Sequence, residues 1–264
     1  MKQIGFNNKS KKSASNNNKR WRYQTGLTFS FIQICYLCKE MTIKLYRVLS
    51  QFRSTNVNDI PHRTVGKMSA RTPDPAKVEL RKQIADAIAK MTTEEKERQS
   101  KIVFNKIINH PYYKTANRVA IFMSTDQEIN TAPIISHIKS RGGSAFVPQY
   151  AGGIMRMLKL EVGDEDAMPL TRHGIAQHSK DQKREDALDA GLDLIIAPGV
   201  AFSPEGGRVG HGGGYYDRYI ANLRSNPKTA PKVVAVAFNC QVLDKVPMND
   251  LDQKIDGVVY AGSD

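Results

Sequence analysis

Cysteine is scarce, with 3 in 264 residues: Cys35, Cys38 and Cys240. Three thiols cannot all pair, and only Cys240 lies beyond residue 68, so no disulfide framework is expected and a reducing compartment fits. Cys35 and Cys38 form a lone CxxC inside an apolar run, without a second CxxC or a nearby histidine, so the spacing of a zinc or redox site is missing. Long apolar runs are lacking too. Leu27 to Cys38 covers twelve residues, too few to span a bilayer and too far from the N-terminus for an ordinary secretory signal. Internal repeats and coiled-coil heptads are absent. So are GxxxxGK[ST], a Ser-His-Asp arrangement and a nucleophile elbow, which removes the commonest nucleotide and hydrolase signatures.

Acidic residues are nearly missing from the first 68 positions, where Glu40 and Asp59 face 13 Lys and Arg. The formal charge of +13 for the whole chain therefore resides mostly there. Residues 69–264 carry 26 basic and 24 acidic side chains, and a body so close to neutral argues against nucleic-acid binding through general charge. The division suggests a basic extension, 1–68, and a globular body, 69–264. Met1 to Trp21 is rich in Asn, Ser and Lys, a composition that favours disorder. The segment from Met41, MTIKLYRVLSQFRSTN, has Lys44, Arg47, Arg53, several hydroxyls and no acid before Asp59. It reads either as a mitochondrial presequence used from an internal start or as a non-native extension, with translation beginning at Met41 or Met68. The expected location is cytoplasmic, or mitochondrial if that segment acts as a presequence.

The body alternates helical and strand patterns. Asp74-Pro75 is a helix start, followed by Leu80, Ile84, Ala87, Ile88 and Met91 at helical spacing. Lys77 and Arg81 border that apolar stripe; they either snorkel to water or point into an anion site. Thr92 and Glu95 predict a capping box for a second helix, running to about Ile108 and ended by Asn109-His110-Pro111. Strands are expected at Arg118–Met123, Ala145–Pro148, Met155–Glu161, Leu192–Ala197, Lys232–Phe238 and Gly257–Tyr260. Helices are expected around Ile134–Lys139, Lys183–Leu188 and Tyr215–Leu223, with Met168–His178 irregular. Strands separated by helices predict an α/β fold with a mainly parallel sheet covered on both faces. Ligands in such folds bind beyond the carboxyl ends of strands, so the loops Ser124–Asn130, Pro148–Tyr150 and Gly199–Gly214 share one rim.

The most informative stretch is Pro198 to Tyr219. Six of the nine residues from Gly206 to Gly214 are glycine; the others are Arg208, Val209 and His211. Glycine loses the most entropy on folding, so such density needs a reason: positive φ angles or close backbone approach to a ligand. Between a strand and a helix, the loop aims free N–H groups at an anion. GxGxxG fails here because its last position is Tyr215. Asp217, in the first turn of the following helix, is either a dipole partner or, beside phosphates, a Mg²⁺ ligand. Asp250, Asp252 and Asp256 lie in a polar segment, either as solvated surface or as the source of a second carboxylate. Glu128 is by default an exposed acid. His211 suits a substrate or phosphate contact, whereas His110, His137, His173 and His178 show no ligand spacing.

These residues resemble a known family. The run GGRVGHGGGYYDRY from Gly206 to Tyr219 is similar to the signature of the 5-formyltetrahydrofolate cyclo-ligases. The resemblance extends from Lys77 to Tyr260 and includes KVELR at Lys77–Arg81, IFMSTDQEINT at Ile121–Thr131, VPQY at Val147–Tyr150 and LDLIIAPGVAF at Leu192–Phe202. It implies a three-layer α/β/α domain related to sugar-phosphate isomerase and CoA-transferase architectures. It also implies a reaction in which 5-formyltetrahydrofolate and MgATP give 5,10-methenyltetrahydrofolate, ADP and phosphate. Phosphorylation of the formyl oxygen turns a poor leaving group into a good one, and the nitrogen at position 10 closes the ring. Such chemistry needs positioning and charge neutralisation rather than a nucleophilic side chain.

By the same resemblance, Lys77 and Arg81 contact ATP, which resolves their two readings. Arg208 and the loop Gly210, His211, Gly212, Gly213, Gly214 with Tyr215 hold ATP, and Arg208, His211 and Tyr216 serve the reacting centre. Met123, Glu128, Pro148, Tyr150 and Tyr216 line the folate site, and Asp217 and Asp252 bind Mg²⁺. The chain departs from some relatives, which carry basic residues at positions 211 and 213, and His173 stands where the family has an aromatic near the folate pocket. The expected partner is 5-formyltetrahydrofolate, free or polyglutamylated, with no membrane and no nucleic acid for the body, and the expected state is a monomer. Two competing readings remain: a non-catalytic relative binding RNA through the basic extension, and a sugar-phosphate isomerase active without ATP.

Overall fold

The computed structural model describes residues 74–171, 174–226 and 230–263, all within the unit Ala70–Asp264. The expectations for the CxxC, the Met41 segment and His173 concern residues outside that set. Helix α1 (Pro75–Ala89) begins as its sequence dictates, with the Asp74 carboxylate accepting the Ala76 amide at 2.9 Å and proline in the first turn. Helix α2 (Thr93–Asn109) is capped by the Thr92 hydroxyl, which accepts the Glu95 amide. The reciprocal half of the expected capping box does not form. The Glu95 carboxylate instead takes Arg98 at 2.6 and 2.7 Å and Gln99 at 2.6 Å; the two-point bond to the charged guanidinium outcompetes a bond to the neutral backbone amide. His110 ends α2 and caps a short helix, α3 (Pro111–Thr115).

The sheet contains β1 (Arg118–Ile121), β2 (Ser144–Ala151), β3 (Ile154–Lys159), β4 (Leu194–Ala197), β7 (Lys232–Ala237) and β8 (Gly257–Tyr260), in the order β3-β2-β1-β4-β7-β8. Every pair is parallel except the β2–β3 hairpin, which turns through Gly152 and Gly153 at positive φ. Side-chain alternation divides the core in two, as the period of a strand requires. Val119 and Ile121 of β1, Leu194 and Ile196 of β4, and Val234 and Val236 of β7 pack with Ile84, Ile88, Val103 and Ile107 of α1 and α2 and with Ile134 and Ile138 of α4 (Ala132–Ser140). The intervening Ala120, Ile195, Ala197, Val233, Ala235 and Ala237 face the other way. There they meet Tyr216, Tyr219 and Ile220 of α7 (Tyr215–Arg224) and Ala187 of α6 (Ala187–Ala190). Alanines on this face make room for two tyrosine rings. The result is the expected three-layer α/β/α arrangement around a mainly parallel sheet.

Three local expectations need correction. The helix expected at Lys183–Leu188 is α6, one turn later. The Lys159 amide bonds the Glu185 carbonyl at 2.9 Å, which holds that stretch extended along β3, and Asp186 then caps the helix through a box with Asp189. A further single turn, α5 (Asp164–Ala167), forms in a segment for which no helix was expected. The glycine cluster is not one loop. A two-stranded hairpin, β5 (Ala201–Phe202) with β6 (Arg208–Val209), occupies its first half. Gly206 and Gly207 make the tight turn of that hairpin, through Gly206 N to Ser203 O at 3.0 Å and Ser203 N to Gly207 O at 2.9 Å. Only Gly210–Gly214 remains as a free loop between β6 and α7. Among the described residues no helix is long and apolar enough to cross a membrane.

Candidate functional site

The loops after β1, β2 and β4 emerge at the same end of the sheet, because these strands are parallel. The loop after β4 carries the short β5–β6 hairpin, and β6 delivers Arg208 with only 3 % of its surface exposed. Its Nη2 donates to Asp217 Oδ1 at 2.7 Å and its Nη1 to the Pro198 carbonyl at 3.2 Å, while Nε has no hydrogen-bond partner among the described residues. The Gly210–Gly214 loop then wraps from β6 to α7. Gly214 precedes the helix at φ +61, a left-handed conformation that disfavours a side chain, and Gly212 lies at φ +103. No side chain caps α7, so its first backbone N–H groups stay available to an anion.

Two cavities flank this loop. A groove of about 550 Å³ is bordered by Lys77 and Arg81 of α1, by Gly210, Gly212 and Gly214, by Asp217 and Arg218 of α7, and by the segment Asn249–Gln253. A smaller pocket of about 90 Å³ is lined by Tyr150, Pro198, Arg208, Gly210, His211, Gly213, Gly214, Tyr215, Tyr216 and Asp217. Gly210, Gly214 and Asp217 border both. Lys77 is buried and bonded to Asp252, and Arg81 Nε donates to the Gly210 carbonyl at 2.8 Å. The two cations at the border of the α1 stripe thus turn inward, toward the glycine loop.

The acids fit a divalent cation shared with phosphates. Asp217 uses Oδ1 for Arg208 and for the Gln253 amide at 3.1 Å. Asp252 uses Oδ2 for Lys77 and for the Asn249 amide at 2.7 Å. Among the described residues, each keeps its other oxygen without a protein partner. The described residues contain no group of three or more His, Cys, Asp or Glu placed to hold a metal ion by themselves. Two single carboxylate oxygens beside an anion groove match Mg²⁺, which takes one or two carboxylates and completes its shell with phosphate and water. Asp250 also borders the groove, whereas Asp256 is committed to Lys232 and Arg224 away from it.

Aromatic groups wall the small pocket. The Tyr150 and Tyr215 rings meet edge-on, 5.0 Å apart at 69°. Burial, reinforced by the Glu128 charge and then by Tyr215, pushes the Tyr150 hydroxyl up to about 12. Burial raises Tyr216 as well, with Tyr150 and Glu128 adding to the effect, and its hydroxyl has no hydrogen-bond partner among the described residues. Both phenols stay protonated and so keep a proton with which to donate a hydrogen bond. Glu128 commits Oε2 to the Thr125 amide at 2.9 Å and the Thr125 hydroxyl at 3.0 Å; its Oε1 faces His211 Nε2 across 4.0 Å.

Most of the expected site residues therefore converge on the two cavities. Met123 and Pro148 do not border either one: Met123 packs against the α1–α2 side of the core, and Pro148 is buried within β2 opposite Met157 of β3. Glu128 reaches the pocket only through His211 and the field it exerts on the tyrosines. Pro198, Arg218, Asn249 and Gln253 were not anticipated. Arg218 was within reach of sequence reasoning, since it lies three and four residues beyond Tyr215 and Gly214 on one helix. Asn249 and Gln253 carry no local signal.

Residues 73–261 match the 5-formyltetrahydrofolate cyclo-ligase family. The chain is 37 % identical over 191 residues to a probable 5-formyltetrahydrofolate cyclo-ligase of Caenorhabditis elegans, covering 70 % of this chain and 93 % of that one. It is 36 % identical over 200 residues to the mouse 5-formyltetrahydrofolate cyclo-ligase, covering 74 % and 98 %. The solved structure of Aquifex aeolicus 5,10-methenyltetrahydrofolate synthetase superposes with a TM-score of 0.58 at 26 % identity, covering 71 % of this chain and 90 % of that one. A family match across the whole sheet and both cavities, joined by relatives matched over nearly their full length, makes the assignment: the chain belongs to the 5-formyltetrahydrofolate cyclo-ligase family.

Proposed function

We propose that the chain converts 5-formyltetrahydrofolate to 5,10-methenyltetrahydrofolate with MgATP, releasing ADP and phosphate. The observation that carries this reading is the shared wall. Gly210, Gly214 and Asp217 border both the 550 Å³ groove and the 90 Å³ pocket, so a nucleotide in one and a formyl group in the other meet at the glycine loop. The groove has the size of ordinary small-molecule sites, roughly 300–1,000 Å³. The pocket suits a one-carbon substituent rather than a whole pteridine.

In this reaction the formyl oxygen receives the γ-phosphoryl group, the nitrogen at position 10 bonds to the formyl carbon and gives up its proton, and the oxygen departs as phosphate. Arg208, fixed by Asp217 and the Pro198 carbonyl, supports the phosphoryl oxygens with charge that needs no reorganisation. Lys77 and Arg81 bind the phosphate chain along with the uncapped start of α7, and His211 and the backbone of Gly212 and Gly213 close over it. Mg²⁺ held by Asp217 and Asp252 would neutralise charge on the phosphates. Tyr216, kept neutral by burial, donates a hydrogen bond at the reacting centre, while Tyr215 and Tyr150 exclude water from it. Glu128, with Oε1 free of backbone bonds, receives the aminopyrimidine of the pterin.

The test is direct. Purified chain should form a species with methenyltetrahydrofolate absorbance only when 5-formyltetrahydrofolate, ATP and Mg²⁺ are all present. No product at high enzyme concentration, or product without ATP, refutes the reading. Family membership and the nearly neutral body both weigh against the alternative of an RNA-binding relative.

A further inference from the structure

Arg218 stands between the two cavities. It lies in the first turn of α7 and borders the groove. Its Nη1 donates to the Gly213 carbonyl at 3.0 Å, and its guanidinium carbon sits 4.9 Å from the centre of the Tyr215 ring. Nη1 also comes so close to Gly214 that a Cβ there would lie 3.0 Å from it. One side chain therefore grips the last turn of the glycine loop and the aromatic residue that follows it. Tyr215 does not border the groove; it lines the small pocket, where its ring meets Tyr150. The residues form a contact series from groove to pocket: Arg218, Tyr215, Tyr150. Of the other groove cations, Lys77 is bonded to Asp252, and Arg81 to the Gly210 carbonyl. Arg218 has no carboxylate partner among the described residues, and its remaining N–H groups have no protein acceptor among them.

We propose that Arg218 is a positioning residue that couples the two cavities: an anion in the groove fixes its guanidinium, which in turn fixes the Gly213 carbonyl and the Tyr215 ring in the wall of the pocket. The proposal rests on the assignment of a nucleotide to the groove and of the folate's formyl group to the pocket. Its physical basis is the guanidinium itself, a planar group able to stack on a ring and donate several hydrogen bonds at once, which an ammonium cannot do. Ordering the wall once serves both ligands, so the second to bind meets a wall already fixed. Linkage makes the effect reciprocal, with each ligand tightening the other by the same factor.

The experiment is calorimetric titration of the full chain with the nonhydrolysable analogue AMP-PNP and Mg²⁺, with and without 5-formyltetrahydrofolate, and the converse titration. Wild type should show mutual tightening of about 5-fold or more. Arg218→Ala should still bind each ligand separately, with the factor reduced to about 2-fold or less, near the point where coupling vanishes. Arg218→Lys should fall between, since it keeps the charge and loses the stacked plane. Arg218 is partly exposed, and separate binding of each ligand reports that the variants are folded. A wild-type factor of one, or an unchanged factor in Arg218→Ala, overturns the proposal. Failure of the wild type to bind AMP-PNP or 5-formyltetrahydrofolate at all overturns the functional reading and the coupling with it, and is recognised before any variant is compared.

Discussion

Arg208 and Asp217 clasp the two ends of the glycine loop. The arginine opens β6, two residues before Gly210, the aspartate lies in the first turn of α7, and their side chains meet at 2.7 Å with 2 % and 16 % of their surfaces exposed. The loop is thus closed by an ion pair on its inner side, and its backbone is held as a short arch between groove and pocket. Asp217 also accepts the Gln253 amide, so the same carboxylate anchors the segment that carries Asp252.

Truncating one member of this pair should be costly. Asp217→Ala leaves a buried guanidinium without its counter-charge, and a loss of about 3–5 kcal/mol in urea unfolding is expected. The double variant Arg208→Met/Asp217→Leu should recover much of that stability, because neither charge is left stranded. It should remain inactive in the absorbance assay. Equal loss of stability in the single and double variants would contradict the account.

Lys77 and Asp252 are 175 residues apart in sequence and bonded across the groove. Lys77→Met should free the Asn249–Gln253 segment, seen as faster amide exchange at Asn249 and Asp252, and should weaken MgATP binding by about tenfold, equivalent to roughly 1.4 kcal/mol. Gln83→Ala, which removes only an exposed contact with Glu79, is the control and should change neither quantity.

Two glycines with positive φ should respond differently to alanine. At Gly206, φ +87, an added Cβ would overlap the Ile255 carbonyl, whose residue also donates its amide to Gly206 O at 2.9 Å. Gly206→Ala should therefore cost about 3 kcal/mol, combining left-handed strain with a backbone clash. At Gly142, φ +79, the space is open, and Gly142→Ala should cost only about 1–2 kcal/mol from the backbone conformation. Urea midpoints of the two variants decide the comparison.

Asp164 should shape the acid limb of stability. Its carboxylate accepts Arg184 at 2.6 and 3.0 Å, the Glu161 amide at 2.8 Å and Gln182 at 3.3 Å. The Arg184 bonds, opposed by burial and assisted by the Glu161 amide, hold it at about 2, against an ordinary value of 3.8. A depressed carboxyl stabilises the fold above its unfolded value and loses that contribution as pH falls through its folded value. The contribution should therefore be complete above about pH 4 and disappear toward pH 2. Asp164→Asn should be less stable than wild type at pH 6 and should lose less between pH 4 and 2; parallel pH profiles would contradict this.

Local signals made most of the secondary structure legible. Asp74-Pro75 and Thr92 start helices where their side chains can cap them, and the apolar runs at Leu194–Ala197 and Lys232–Ala237 form central strands. Where the reading slipped, it was to a contact from elsewhere in the chain at one place and to a local turn at another. Residues 183–186 read as helical, yet the edge of β3 offers Lys159 N to the Glu185 carbonyl and keeps them extended. The glycine cluster read as one anion cradle, yet Gly206 and Gly207 belong to the turn of the β5–β6 hairpin. A turn glycine and a ligand-facing glycine look alike in sequence, because both answer the same steric need.

The sequence alone determined the layered fold, the strand–loop–helix setting of Gly210–Gly214 and the family, since all of these rest on periodicity, caps and a contiguous motif. Tertiary structure decided the pairing of charges. Lys77 and Arg81 lie at the edge of an apolar stripe that fits equally a snorkelling pair and an inward one. Only the packing of α1 against the sheet turns them toward Asp252 and the Gly210 carbonyl. The division into a groove and a pocket sharing one wall was likewise invisible in the chain, because it depends on how α1, the Asn249–Gln253 segment and the end of β2 are brought around the loop by the strand order. Charge partners separated by more than a hundred residues are set by that order, and nothing local in the sequence encodes it.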